Sequence, residues 1–152
     1  MLVTSNFNVH GIDVRPHTQC AHWHSSRDII AIRHKCCGEY YACISCHEAL
    51  AGHKNQVWPK DEWGPSNIVL CGKCLCEMSV VQYLGCDNHC PSCKAEFNPG
   101  CRNHYHLYFE DKMVSRSARY GKSAESILGS VSRSSFFEFC QLQSNNIVSS
   151  QL

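Results

Sequence analysis

The chain has 152 residues, enough for one domain with an appendage, and its 13 cysteines and 10 histidines stand far above ordinary usage. Fourteen lysines and arginines face 13 acidic residues, a balance without the basic surplus of a nucleic-acid binder. No apolar run approaches the roughly 18 residues of a membrane-spanning helix, and "MLVTSNFNVHGIDVRPHTQC" has neither the pattern of a secretory signal nor that of a transit peptide. A soluble chain without membrane insertion is expected.

Twelve cysteines and every histidine lie between His10 and His106. Residues 1–8 read as a flexible start and residues 9–110 as the ordered domain. Within it, Cys20 and His22 are two apart, so on an extended segment they face the same way and can share an ion. His24 shares that face. "DIIAIRH" (28–34) is rich in isoleucine and alternates weakly, which predicts a strand leading into the Cys36-Cys37 pair. "CISCHEALAGH" carries Ala, Leu and Glu at helical density, so a short helix after Cys46 is expected to bear His47 and to end near Gly52. "WPKDEWGPSN", with two prolines and a glycine, reads as a loop separating two cysteine-rich halves.

The second half holds Cys71-Gly-Lys-Cys74, fifteen residues, and Cys90-Pro-Ser-Cys93. Two residues between cysteines let a turn aim both thiolates at one ion, and two such knuckles close a tetrahedron with Zn–S of about 2.3 Å. In the first half Cys43-Ile-Ser-Cys46 is a further knuckle. His47 follows Cys46 directly, and neighbours usually point apart, so it is expected to serve a different ion together with His53. The working partition is Cys20, His22, Cys43 and Cys46 around one zinc and Cys36, Cys37, His47 and His53 around a second. The adjacent pair Cys36-Cys37 is awkward in that scheme, because neighbouring cysteines do not readily share a metal. His10, His17, His34 and His89 lack ligand spacing and are expected at the surface or in hydrogen bonds. The aromatic residues Trp23, Tyr40, Tyr41, Trp58 and Trp63 are expected to pack around the metal sites.

From Ser115 onward eleven of 38 residues are serine and no apolar period persists, so residues 111–152 read as a disordered tail. The expected fold class is a small metal-stabilised α+β domain with little regular structure, interleaved zinc knuckles and a four-cysteine, zinc-ribbon-like half. Disulfides alone do not explain the interspersed histidines. An abundant, thiolate-rich ligand supply favours closed structural sites over a catalytic zinc with an open position.

"CAHWH" (20–24), "DIIAI" (28–32), "CCGEYYACISCHE" (36–48), His53, "CGKC", "CPSC" and "FNPGCRNHYHLYF" (97–109) together resemble the CHY-type zinc finger, in its short, single-domain helper-of-Tim branch. The resemblance spans roughly residues 9 to 110. It implies three or four zinc ions on Cys20, His22, Cys36, Cys37, Cys43, Cys46, His47, His53, Cys71, Cys74, Cys90 and Cys93. It also implies a monomeric accessory protein without catalysis, located in the mitochondrial intermembrane space in a eukaryote and in the cytoplasm in a bacterium. Its protein partners would be components of the disulfide relay that oxidises small Tim chaperones, one of which it would keep free of zinc. Family members with ubiquitin-ligase activity carry a RING domain, which one cysteine after His106 cannot build. Cys76 and Cys86 fall outside the pattern, while Cys101, His104 and His106 form a C-x2-H-x-H cluster open to ligation or to packing. An inert interaction module and a thiol oxidoreductase stand as alternatives.

Overall fold

The computed structural model describes residues 2–3 and 7–111; the serine-rich segment lies outside the described residues. Six strands form one sheet: β1 (Leu2–Val3), β2 (Asn8–His10), β3 (Ile30–Arg33), β4 (Tyr40–Tyr41), β5 (Asn67–Cys71) and β6 (Glu77–Ser79), in the order β1-β2-β4-β3-β5-β6. The β2–β4 pair is parallel and the others are antiparallel. Leu2–Val3, inside the stretch expected to be flexible, pair with Asn8 and Val9.

The strand expected over 28–34 is β3, and it lies at the centre of the domain. Its partners are β4 and β5, with Ile30 opposite Cys71 and Ile32 opposite Val69. The two cysteine-rich halves therefore share one sheet, where the sequence suggested a loop keeping them apart. That loop does not act as a boundary. Trp58 is buried, donates its indole N–H to the Arg33 carbonyl at 2.7 Å and pairs with Phe109 across an isolated bridge.

Alternation along β3 gives the sheet two apolar faces. Ile30 and Ile32 join a core with Trp58, Ile68, Met78, Val80, Tyr83, Phe97 and Phe109, whereas Ala31 joins Val9, Tyr40 and Leu70 on the opposite side.

Among the described residues, two short α-helices flank the sheet. Helix α1 spans Ile44–Leu50 and begins before Cys46, so it carries that cysteine as well as His47. Cys43 caps it by accepting the Cys46 N–H on its sulfur, and Gly52, at φ +69°, follows its C-terminal end. Helix α2 (Val80–Gly85) has a reciprocal capping box between Ser79 and Gln82, an arrangement worth about 1 kcal/mol. No helix among the described residues is long and apolar enough to cross a membrane.

Candidate metal centres

One backbone turn recurs three times and sets out much of the site. In Cys71–Cys76 the Leu75 N–H donates to the Cys71 carbonyl at 2.8 Å and the Cys71 N–H to the Cys76 carbonyl at 3.0 Å. Cys90–Ala95 repeats this with Lys94 to Cys90 at 3.0 Å and Cys90 to Ala95 at 2.8 Å. The third copy is His34–Glu39, with Gly38 to His34 at 2.8 Å and His34 to Glu39 at 2.9 Å. In each, the fifth residue lies in the left-handed region: Leu75 at φ 60°, Lys94 at 60° and Gly38 at 75°. His34 thus stands where the other two turns have their first cysteine, and Cys37 where they have their second. The turn also resolves the adjacent pair, for it delivers both Cys36 and Cys37 to one cluster.

Three clusters result. Cys20, His22, Cys43 and Cys46 form one, Cys36, Cys37, His47 and His53 another, and Cys71, Cys74, Cys90 and Cys93 the third; within each, the ligand atoms lie within 4.8 Å of one another. Cys46 and His47 are neighbours on α1, where successive side chains diverge by about 100°, and they accordingly enter different clusters. Cys20 and His22 meet their partners from a bend, closed by the Cys20 N–H donating to the Trp23 carbonyl, and not from an extended segment.

The dimensions fit zinc. Bond lengths of about 2.3 Å to sulfur and about 2.0 Å to nitrogen give tetrahedral edges of about 3.8 Å between sulfurs and about 3.5 Å between sulfur and nitrogen. In the first cluster Cys20 and Cys43 are 3.7 Å apart, and the His22 Nδ1 lies 3.4, 3.6 and 4.0 Å from the sulfurs of Cys46, Cys43 and Cys20. In the second, Cys36 Sγ is 3.2 Å from His47 Nε2. In the third, Cys71 to Cys93 is 3.9 Å and Cys74 to Cys90 is 3.7 Å. Each cluster can hold one zinc ion.

The electrostatics agree with that fit. Hydrogen bonding with Cys74 and Cys90, together with burial, pushes the Cys71 thiol up, while the neighbouring thiols of Cys71 and Cys90 hold Cys74 far below the ordinary range. Burial likewise pushes Cys43 and Cys46 up. Four crowded sulfurs cannot all ionise without a countercharge, and a dication supplies it. Burial and the adjacent His53 hold His47 below the usual imidazole value, which keeps it neutral and able to ligate.

Backbone fit around the sulfurs is close. A Cβ on Gly72 would fall 2.3 Å from the His17 carbonyl oxygen, because the 16–18 turn crosses the knuckle there. The Ile12 N–H donates to Cys46 Sγ at 3.4 Å, and a Cβ on the preceding Gly11 would meet that sulfur at 3.1 Å.

Several side chains stand apart. Cys76 and Cys86 belong to none of the three clusters, and neither do Cys101, His104, His106 and His24. Cys101 lines an apolar cavity with Ile30, Ile32, Tyr83 and Tyr108. Asp28 and His104 line the same cavity, but burial and the Asp28 carboxylate push the Cys101 thiol up to about 11, the reverse of nucleophile activation. His17 and His89 sit beside backbone carbonyls of Gly72 and Asp87. Among the aromatic residues, Tyr41 lies against His47 at 4.8 Å, whereas Trp23 is 47% exposed and Trp58 belongs to the core.

Sequence reasoning missed His34. It is 1% exposed, its Nδ1–H donates to Asn55 Oδ1 at 2.7 Å, and its ring stacks on His47. The signal available was its place three residues before Cys37, the spacing of the two later knuckles.

Residues 20–100 match the CHY zinc finger family. The chain belongs to that family. Similar proteins include Helper of Tim protein 13 of Saccharomyces cerevisiae, 40% identical over 105 residues, which cover 68% of this chain and 90% of the relative. Helper of Tim protein 13 of Kluyveromyces lactis is 43% identical over 102 residues, 66% of this chain and 87% of the relative. A protein of Schizosaccharomyces pombe without a functional name is 39% identical over 107 residues, 70% of this chain and 93% of the relative. No solved structure matches the chain.

Proposed function

We propose that this CHY-type protein is a zinc-binding, non-enzymatic accessory factor for protein import in the mitochondrial intermembrane space, acting by handling zinc for the disulfide relay that matures small Tim proteins. The twelve residues Cys20, His22, Cys36, Cys37, Cys43, Cys46, His47, His53, Cys71, Cys74, Cys90 and Cys93 are its zinc ligands, in three sets of four. The observation that carries this reading is the convergence of those side chains at tetrahedral spacing, in a chain similar over most of its domain to two proteins named for helping Tim. Thiols that must form disulfides are unreactive while zinc holds them, so a protein that accepts zinc from relay components would favour oxidation.

The test is replacement of the S. cerevisiae relative by this chain, followed by measurement of small Tim protein levels and of disulfide formation in the relay. Restoration supports the reading. Failure of a folded, zinc-loaded protein targeted to that compartment favours an inert interaction module.

A further inference from the structure

The three clusters are not equivalent. We propose that the centre formed by Cys36, Cys37, His47 and His53 is the exchangeable one, losing and regaining zinc while the domain stays folded and the other two centres keep theirs. This rests on the reading of the twelve residues as zinc ligands and names the centre through which zinc would be handled.

The first argument is an unfinished hydrogen bond. A histidine that ligates metal through one ring nitrogen ordinarily donates the other N–H to a carbonyl, carboxylate or water, and loss of such a partner costs about 10- to 100-fold in metal affinity. His47 turns Nε2 toward Cys36, while its Nδ1 is buried with no hydrogen-bond partner. His34 covers one face of that ring and, stacked parallel to it, supplies no in-plane acceptor.

The second argument is the donor set. The centre has two thiolates, against three in the Cys20 cluster and four in the Cys71 cluster. Fewer anionic sulfurs mean less charge to hold a dication.

Access points the same way. In this centre only His47 is buried, with Cys36 and Cys37 half-buried and His53 exposed; the Cys20 cluster has one exposed ligand, His22, on three buried cysteines, and the Cys71 cluster has two half-buried cysteines and none exposed. An incoming thiolate from an acceptor reaches this ion from the His53 side without disturbing the core.

Hydrogen bonds independent of this ion also tie its segment to the rest of the domain. Its four ligands lie between residues 36 and 53, the shortest stretch of the three, against Cys20 to Cys46 and Cys71 to Cys93, so loop closure by this ion contributes slightly less than by either of the others. The positions of its ligands are fixed by other bonds. The His34–Glu39 turn closes through backbone hydrogen bonds, Asn55 joins His34 to the Leu107 carbonyl, and the Ile44 N–H donates to the Tyr108 hydroxyl at 2.7 Å.

The experiment uses the full chain loaded with zinc under reducing conditions. A metallochromic chelator is added, and at intervals newly exposed thiols are alkylated and located by peptide mass spectrometry, with circular dichroism recorded in parallel. The expected result is one zinc equivalent leaving at least about tenfold faster than the others, Cys36 and Cys37 labelled first, and an unchanged spectrum. His53→Ala should lack the fast phase and retain two slow zinc ions in a folded domain. A fast phase that exposes Cys20, Cys43 and Cys46, or the Cys71 cluster, overturns this assignment and leaves zinc handling intact. One uniform slow rate overturns both. Loss of the folded spectrum in step with the first zinc refutes the claim that the domain stands without it.

Discussion

The imidazole of His34 lies flat on that of His47, with ring centroids 4.0 Å apart and planes 6° from parallel. One ring belongs to a candidate ligand and the other is pinned by Asn55, so the pair passes the rigidity of the core to a metal centre near the surface. His34→Ala empties that space and leaves Asn55 without its donor. We expect a loss of about 2–4 kcal/mol in denaturant unfolding of the zinc-loaded protein. His34→Phe restores a flat ring without the N–H and should cost less than the alanine variant.

Gly72→Ala should be severe. The new methyl would collide with backbone at His17, which cannot swing aside as a side chain can. A loss above about 2 kcal/mol is expected, accompanied by weaker zinc binding at the Cys71 cluster. Gly64→Ala, where nothing lies within 4 Å, is the control and should shift the unfolding midpoint very little.

Cys74→Ser should abolish the Cys71 centre and unfold the domain, so that elemental analysis finds fewer than two zinc ions. Structural zinc contributes on the order of 10–16 kcal/mol, while a whole domain is stable by about 5–15 kcal/mol. Cys71 ends β5, which pairs with the central β3, so this centre is fastened to the middle of the sheet. Circular dichroism of the variant should show loss of sheet signal. A folded variant with two zinc ions would contradict the expectation.

Cys101→Ser should keep all three zinc ions, since Cys101 stands outside the clusters. Its thiol is pushed up to about 11 by burial and by Asp28. Because the thiolate is the reacting species, alkylation of Cys101 should speed up about tenfold per pH unit until pH approaches that value. At about pH 8 it should be roughly a hundredfold slower than for an ordinary exposed cysteine. Rate profiles followed by mass spectrometry check this.

Asp28→Ala removes a buried acceptor. Burial acts to raise the Asp28 carboxyl, but hydrogen bonds from Ser25 and Asn98 outweigh it and hold the group below the ordinary value. The Ser25 N–H and the Asn98 amide each donate to it at 2.8 Å. Leaving both donors unpaired should cost about 1–3 kcal/mol at neutral pH. Asp28→Asn, which retains one acceptor oxygen, should recover part of it.

What the sequence disclosed follows from the range of the physics involved. Ligand spacing is local chemistry, and Cys71, Cys74, Cys90 and Cys93 could be grouped from it. The isoleucines of β3 and the alanines and leucine of α1 also signal locally. The strand Asn67–Cys71 went unread because only its pairing with β3 distinguishes it from a short apolar run. Leu75 and Lys94 adopt left-handed backbone without being glycine, so nothing in their identity marks the turn. The need for glycine at 72 comes from His17, fifty-five positions away, and no window of neighbouring residues contains it. Trp58 looked like part of a spacer because two prolines and a glycine lie near it; its burial depends on Phe109.

The thrice-used turn is closed by the same pair of backbone bonds in each copy, and these two bonds do not require one particular side chain at its first position. His34, Cys71 and Cys90 occupy the same first position in three copies of one backbone form. A histidine and a cysteine can stand there on the same path of the chain. Such a scaffold separates the problem of folding from the problem of tuning, so the affinity of one ion can drift while its neighbours stay fixed.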